Sequence, residues 1–121
     1  MTSAQPEFDQ AGTFLGSSLV YATARDWARF GLLYLRDGEW DGRRILPAGW
    51  VDFARTRTPA ANCDVYGAGF WVTPAAGRGK PYVALAPDGP RDIFLAQGHE
   101  GQVVVVVPSK DLVLVRLGLF D

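Results

Sequence analysis

Few side chains in this sequence of 121 residues suit covalent or proton-transfer chemistry, and their spacing narrows the options. The single histidine, His99, stands in Gly98-His99-Glu100-Gly101, directly ahead of an apolar run. One reading of that placement is the edge of an active site. The plainer reading of the same letters is a histidine in a turn, bonded locally, because three letters make a weak motif. Glu100 would act as a general acid or base only beside a partner carboxylate, and none is identifiable, so a solvated loop residue is the simpler assignment. Ser17 and Ser18 follow Gly16 in a loop before the first helix. Their hydroxyls either touch a ligand or bond the local backbone. Cys63 is the only cysteine, which excludes an internal disulfide and leaves no zinc spacing. It also lacks the electropositive neighbours a reactive thiol needs. No cofactor and no metal is expected from these patterns.

Composition bounds the partners. A formal net charge of -1 gives no basic excess for nucleic acid. The N-terminal stretch has neither the basic start nor the apolar segment of a signal peptide. The longest apolar run, Val103 to Val107, is far too short to cross a membrane. With 48% hydrophobic and 21% charged residues, the chain reads as one ordinary globular domain.

The elements that must position these residues are legible in the pattern. Residues Met1 to Gly12 read as an irregular tail. Trp27, Phe30, Leu33 and Tyr34 recur at helical spacing and predict a helix from about Thr23 to Asp37. Thr23 is its N-cap, Asp26 completes a capping-box-like pair, and Gly38 ends it in the left-handed conformation. Arg25 and Asp26 together read as a cap and a surface charge. Asp41-Gly42 signals a turn, and Pro47 opens a second short helix from Leu46 to about Arg55. Trp50, Val51 and Phe53 or Ala54 are expected to face inward from it. Thr56 to Asp64 is a loop, and Tyr66 to Val72 a strand whose glycines admit a close backbone. Thr73 to Pro90 is rich in Gly, Pro and Ala, with a short strand expected at Tyr82 to Leu85.

Asp92 to Ala96, Val103 to Val107 and Leu112 to Leu119 then read as successive strands, the last two joined by a turn at Pro108 to Asp111. Five consecutive valines require cover on both faces. Helices followed by strands imply an α+β fold, an antiparallel sheet with helices packed on it. The sheet looks incomplete, because an apolar edge left open is an aggregation hazard. Arg116, odd in an apolar strand, is expected to reach an exposed face or a carboxylate supplied from elsewhere. Most of the tryptophans are expected to pack in the core rather than form a binding platform.

Taken together, ATARDWARFGLLYLRDGEWDGRRILPAGWV, the GFWV strand and GHEGQVVVVVPSKDLVLVRLG resemble the C-terminal part of a serine β-lactamase-like hydrolase. That group includes class C β-lactamases, DD-peptidases, related esterases and 6-aminohexanoate-dimer hydrolases. The resemblance runs from about Gly12 onward. It implies a partial β-lactamase/transpeptidase-like fold across residues 1–121, and cleavage of an ester, amide or β-lactam through an acyl-serine. The partners it implies are a small acyl substrate in the complete protein, and a missing N-terminal portion or a second copy to complete the sheet. In such hydrolases the nucleophile lies in S-x-x-K, protons are handled by that lysine and a tyrosine of Y-x-N or Y-x-S, and K-T-G or H-x-G lies on the edge strand facing the serine.

Only the third motif is matched here. His99-Glu100-Gly101 reads as H-x-G, so the resemblance implies a cleft edge at Gly98 to Gly101: Gly101 lets substrate lie against the strand backbone, His99 supplies a hydrogen bond or partial positive charge where relatives use lysine, and a backbone N–H near His99 or Glu100 is an oxyanion donor. Alternatively, GHEGQ matches only the glycine-rich lead into the next strand. The resemblance places Ser17 and Ser18 beside the substrate cleft. No serine here is followed three residues later by lysine, and neither Tyr21-Ala22-Thr23 nor Tyr66-Gly67-Ala68 fits the tyrosine motif. This chain alone is therefore not expected to catalyse. Two readings from other classes compete: a non-catalytic remnant or interaction module pairing through its open sheet edge, and a small binding domain using the loop from Thr73 to Pro90.

Overall fold

The computed structural model describes residues 1–16, 18–60, 65–72 and 89–119. The chain opens with an arm. β1 (Gln5–Pro6) pairs antiparallel with β2 (Val20–Tyr21), and an isolated bridge joins Phe8 to Phe14. The expected irregular tail is thus partly ordered by pairing with residues just before the first helix.

Helix α1 (Ala24–Leu35) forms where the apolar spacing placed it. The Thr23 side chain accepts a hydrogen bond from the Asp26 backbone N–H at 3.3 Å, so Thr23 is the N-cap. The C-terminus differs from expectation in detail. The Gly38 N–H bonds to the Leu33 carbonyl at 2.7 Å and the Asp37 N–H to the Tyr34 carbonyl at 3.3 Å, the paired bonds of a Schellman motif. Asp37 takes the first left-handed position, with φ 51°. Gly38, also at positive φ, is needed for a second reason: a Cβ there would sit 2.6 Å from that of Leu46.

The Asp41-Gly42 turn closes a hairpin of β3 (Glu39–Trp40) and β4 (Arg43–Arg44). Helix α2 (Trp50–Arg55) is shorter than the spacing suggests, because Gly49 at φ 79° breaks the helical path after Pro47. Val51 and Ala54 are buried, whereas Trp50 and Phe53 stack on each other in solvent. The expected inward position of Trp50 is therefore wrong. A helix of six residues buries one narrow stripe, and positions three apart on that stripe are already taken by Val51 and Ala54.

Residues 65–72 turn sharply instead of running as one strand. The Gly67 N–H bonds to the Phe70 carbonyl at 2.8 Å, and the Val72 N–H to the Val65 carbonyl at 2.8 Å. Only β5 (Trp71–Val72) joins the main sheet. The expected close approach is real at Gly67, where the Ala54 carbonyl leaves no room for a Cβ.

The main sheet has the order β5–β6–β7–β8, all antiparallel, with β6 (Phe94–Gln97), β7 (Val103–Val107) and β8 (Leu112–Arg116). Phe94, Val106 and Val113 stand opposite one another and face the helices. They pack with Val51, Ala54, Phe70, Phe30 and Tyr34. Leu95 and Val105 point the other way, together with Val107, Trp71 and Ile93. Val104 through Val107 are all buried, so the non-alternating valine run is covered on both faces as expected. The architecture is α+β: helices against an antiparallel sheet. Among the described residues β8 pairs on one side only, and its Leu112 and Leu114 are 46% and 50% exposed.

Candidate functional site

Gly98 to Gln102 connect β6 to β7. The Gly98 N–H donates to the Gln102 carbonyl at 2.8 Å, and the Gln102 N–H returns to the His99 carbonyl at 3.4 Å. Glu100 (φ 57°, ψ 34°) and Gly101 (φ 73°) are both left-handed, the backbone demand of a type I′ hairpin turn. Gly101 is thus explained by the turn itself rather than by a ligand lying on a strand. Glu100 meets the same demand at a cost: an L-residue in that region is disfavoured by about 1–3 kcal/mol, and such strain clusters at functional positions.

The side chains of this turn reach outward. His99 is 90% exposed, with its Nε2 at 3.3 Å from Glu100 Oε1. Behind the turn, Arg116 on β8 donates from Nη1 to the Gly101 carbonyl at 3.1 Å and from Nη2 to the Leu119 carbonyl at 3.4 Å. The expectation that Arg116 seeks an exposed face or a distant carboxylate omits these bonds. It grips the turn from inside the chain, a role invisible to local pattern because β8 lies beyond a hairpin.

The expected H-x-G stretch therefore sits in a turn between two strands, not along an edge strand. Part of an edge exists nearby, on β6. β5 pairs only with Phe94 and Leu95, so Ala96 and Gln97 have no strand partner on that side among the described residues. Ala96 turns its backbone groups toward β7, so among the described residues the edge left without a strand partner is at Gln97, which leads through Gly98 to His99.

Ser18 lies exposed in the arm, its N–H 3.5 Å from the Leu15 carbonyl, and next to Leu19 at φ 61°. Among the described residues no hydrogen bond joins the arm to the 98–102 turn. Ser17, Cys63 and the expected strand at Tyr82 to Leu85 lie outside the described residues. Ser109, adjacent to Lys110, is committed to structure: its N–H and hydroxyl donate to Asp92 at 2.5 and 2.9 Å.

The side chain that sequence reasoning undervalues is Asp26. It is a buried charge, 1% exposed, not a surface one. Its Oδ2 accepts from the Thr2 N–H (2.8 Å), the Ser3 N–H (2.7 Å) and the Ser3 hydroxyl (2.7 Å), and its Oδ1 from Arg29 Nη1 (2.5 Å). The Ser3 hydroxyl, the Ser3 N–H and Arg29 hold this carboxyl well below the usual carboxylate range, against the burial that would raise it. The capping box is not reciprocal either, since the Thr23 N–H donates to Ser3 Oγ at 3.0 Å instead. The Thr-x-x-Asp spacing is the visible signal; its partner, more than twenty residues upstream, is not. Asp26 is a tether for the N-terminus, remote in bonding from the His99 turn.

Among the described residues no cluster of three or more His, Cys, Asp or Glu side chains is placed to hold a metal, and no helix is long and apolar enough to cross a membrane. Compared with models of protein families the chain matches none, and no curated protein matches its sequence.

Proposed function

We propose that this chain is the C-terminal part of a serine β-lactamase-like hydrolase, which cleaves an ester, amide or β-lactam through an acyl-serine whose nucleophile is not in this chain. The observation that carries the reading is the backbone edge at Gln97, which among the described residues has no strand partner on the β5 side and leads through Gly98 to the exposed His99. An acyl substrate with an amide could hydrogen-bond along that edge, as an added strand does. His99 would then stand at its end, able to donate to a developing oxyanion or carboxylate. Arg116 holds the Gly101 carbonyl of the same turn, and Glu100 Oε1 stands 3.3 Å from His99 Nε2.

The test is twofold. Coding DNA upstream of Met1 should carry an in-frame S-x-x-K followed by Y-x-N or Y-x-S. A fluorophosphonate probe should label a serine in the extended protein and none in residues 1–121. Labelling of the short chain, or an upstream stop with no such motifs, overturns the assignment. If the extended protein is active, His99→Ala should lower acyl turnover at least tenfold while leaving the fold intact.

A second reading has its own observation. β8 carries exposed Leu112 and Leu114 and has a partner on one side only among the described residues. A non-catalytic module would use that edge to pair with another chain. Sedimentation separates the two: a reversible self-associating or partner-dependent species abolished by Leu114→Lys favours the module.

A further inference from the structure

A cavity of about 730 Å³ opens at the opposite end of β6 from His99, between the end of α2 and the residues that lead into β6. Arg55, Arg57 and Arg91 line it beside Asp52 and Asp92. Arg57 is engaged in an interaction of its own, so the guanidiniums considered for a ligand are those of Arg55 and Arg91. Both carboxylates are already committed. Asp52 Oδ1 takes Arg55 Nε at 3.0 Å and Nη2 at 2.7 Å. Asp92 turns both oxygens to Ser109. Burial alone would raise its pKa, but the Ser109 bonds and the charge of Arg55 outweigh that and keep it ionised. Arg91 is exposed and has no hydrogen-bond or ion-pair partner among the described residues. Arg55 keeps its Nη1 group outside the Asp52 pair. Val72 and Ile93 supply an apolar wall.

We propose that this cavity binds a small organic anion, its carboxylate or phosphate headgroup held by Arg91 and Arg55 and its apolar body against Val72 and Ile93. A guanidinium presents paired N–H donors that match the oxygens of either headgroup. The volume falls in the range of small-molecule clefts and is far larger than a bare phosphate fills, which is why the ligand needs a body. The site shares no residue with the His99 turn, so it stands whether or not the acyl-transfer reading does.

Phenyl phosphate, benzoate and inorganic phosphate are titrated into the ¹⁵N-labelled chain at low salt, with amide shifts as the readout. Saturable shifts centred on Arg55, Arg91 and Ile93 are expected, with phenyl phosphate or benzoate at least fivefold tighter than inorganic phosphate. Which of the two organic probes wins identifies the headgroup. Arg91→Ala should weaken that binding about tenfold. Arg91→Lys, which keeps the charge but loses the paired donors, should fall between them and serves as the comparison if the alanine variant unfolds. The proposal is overturned if the shifts spread without saturation over Arg25, Arg36 and Arg43. It is equally overturned if inorganic phosphate matches the organic probes, or if Arg91→Ala and Arg91→Lys bind like the parent.

Discussion

Replacing Gly31 by alanine should destabilise the chain, although general helix propensity points the other way. In an exposed helix interior the change gains about 0.8–1.0 kcal/mol. At Gly31 the new Cβ would stand 2.5 Å from Val113 Cγ1 and 3.1 Å from Val104 Cγ1. Carbon pairs prefer about 3.5–4.0 Å. Both valines are stiff at χ1 and held in hydrogen-bonded strands, so neither can swing aside cheaply. Forced overpacking costs about 1–3 kcal/mol, and a contact a full ångström too close belongs near the upper end. The net expectation is a loss of about 1–2 kcal/mol. Urea unfolding followed by tryptophan fluorescence should show a lower midpoint with an unchanged slope. Adding Val113→Ala removes the nearest clashing methyl, so the double-mutant cycle should show favourable coupling of about 1 kcal/mol. A Gly31→Ala variant as stable as the parent would mean that α1 does not lie this close to β7 and β8, and the packing described above would be wrong.

Three further outcomes follow from the same geometry. Gly101→Ala, at φ 73°, should cost about 1 kcal/mol, whereas Glu100→Asn should raise the melting temperature because asparagine tolerates the left-handed turn; melts of the two variants that move together would refute the type I′ assignment. Arg116→Ala should speed amide exchange at Gly98 and Gln102 about fivefold while leaving the centre of β7 protected, and uniform acceleration would show that Arg116 supports the whole sheet instead. For Asp26, whose carboxyl is more acidic folded than unfolded, the stabilisation is complete above the unfolded value of about 3.9 and fades as pH falls toward the lower native value. The tether should therefore persist at about pH 4, and Asp26→Asn should flatten the dependence of stability on pH between about 2 and 4, as read from urea midpoints.

The helix and the last hairpin are legible because their signals are local. Thr23 and the Trp27–Phe30–Tyr34 spacing define α1 within one stretch of chain, and the valine run with its polar turn defines β7 and β8. Trp50 is misplaced by pattern because a six-residue helix carries too few turns for periodicity to choose a face. Asp26 and Arg116 escape it for a different reason: the Thr2 and Ser3 groups on Asp26 and the Gly101 carbonyl on Arg116 are remote in sequence, and nothing in the neighbouring letters encodes a partner of that kind. Gly101 suggests ligand approach when the turn alone requires it. Of the candidate site, pattern locates the His99 turn but not the end of β6 that, among the described residues, has no partner on its β5 side, since the length of a neighbouring strand cannot be read from β6.

The close seat of Gly31 on Val113 also sets a timetable. These residues meet across about eighty positions of chain, so the apolar side of α1 emerges from a ribosome long before the strands that will cover it exist. Phe30 and Tyr34 can stack early on one another and then on Phe70, but Val106 and Val113 arrive only with the final hairpin. Loss of that hairpin, by a late frameshift or proteolysis, would leave the aromatic stripe of α1 without its cover and the helix without the packing that sustains it. Such a product is a client for chaperones rather than a smaller stable protein.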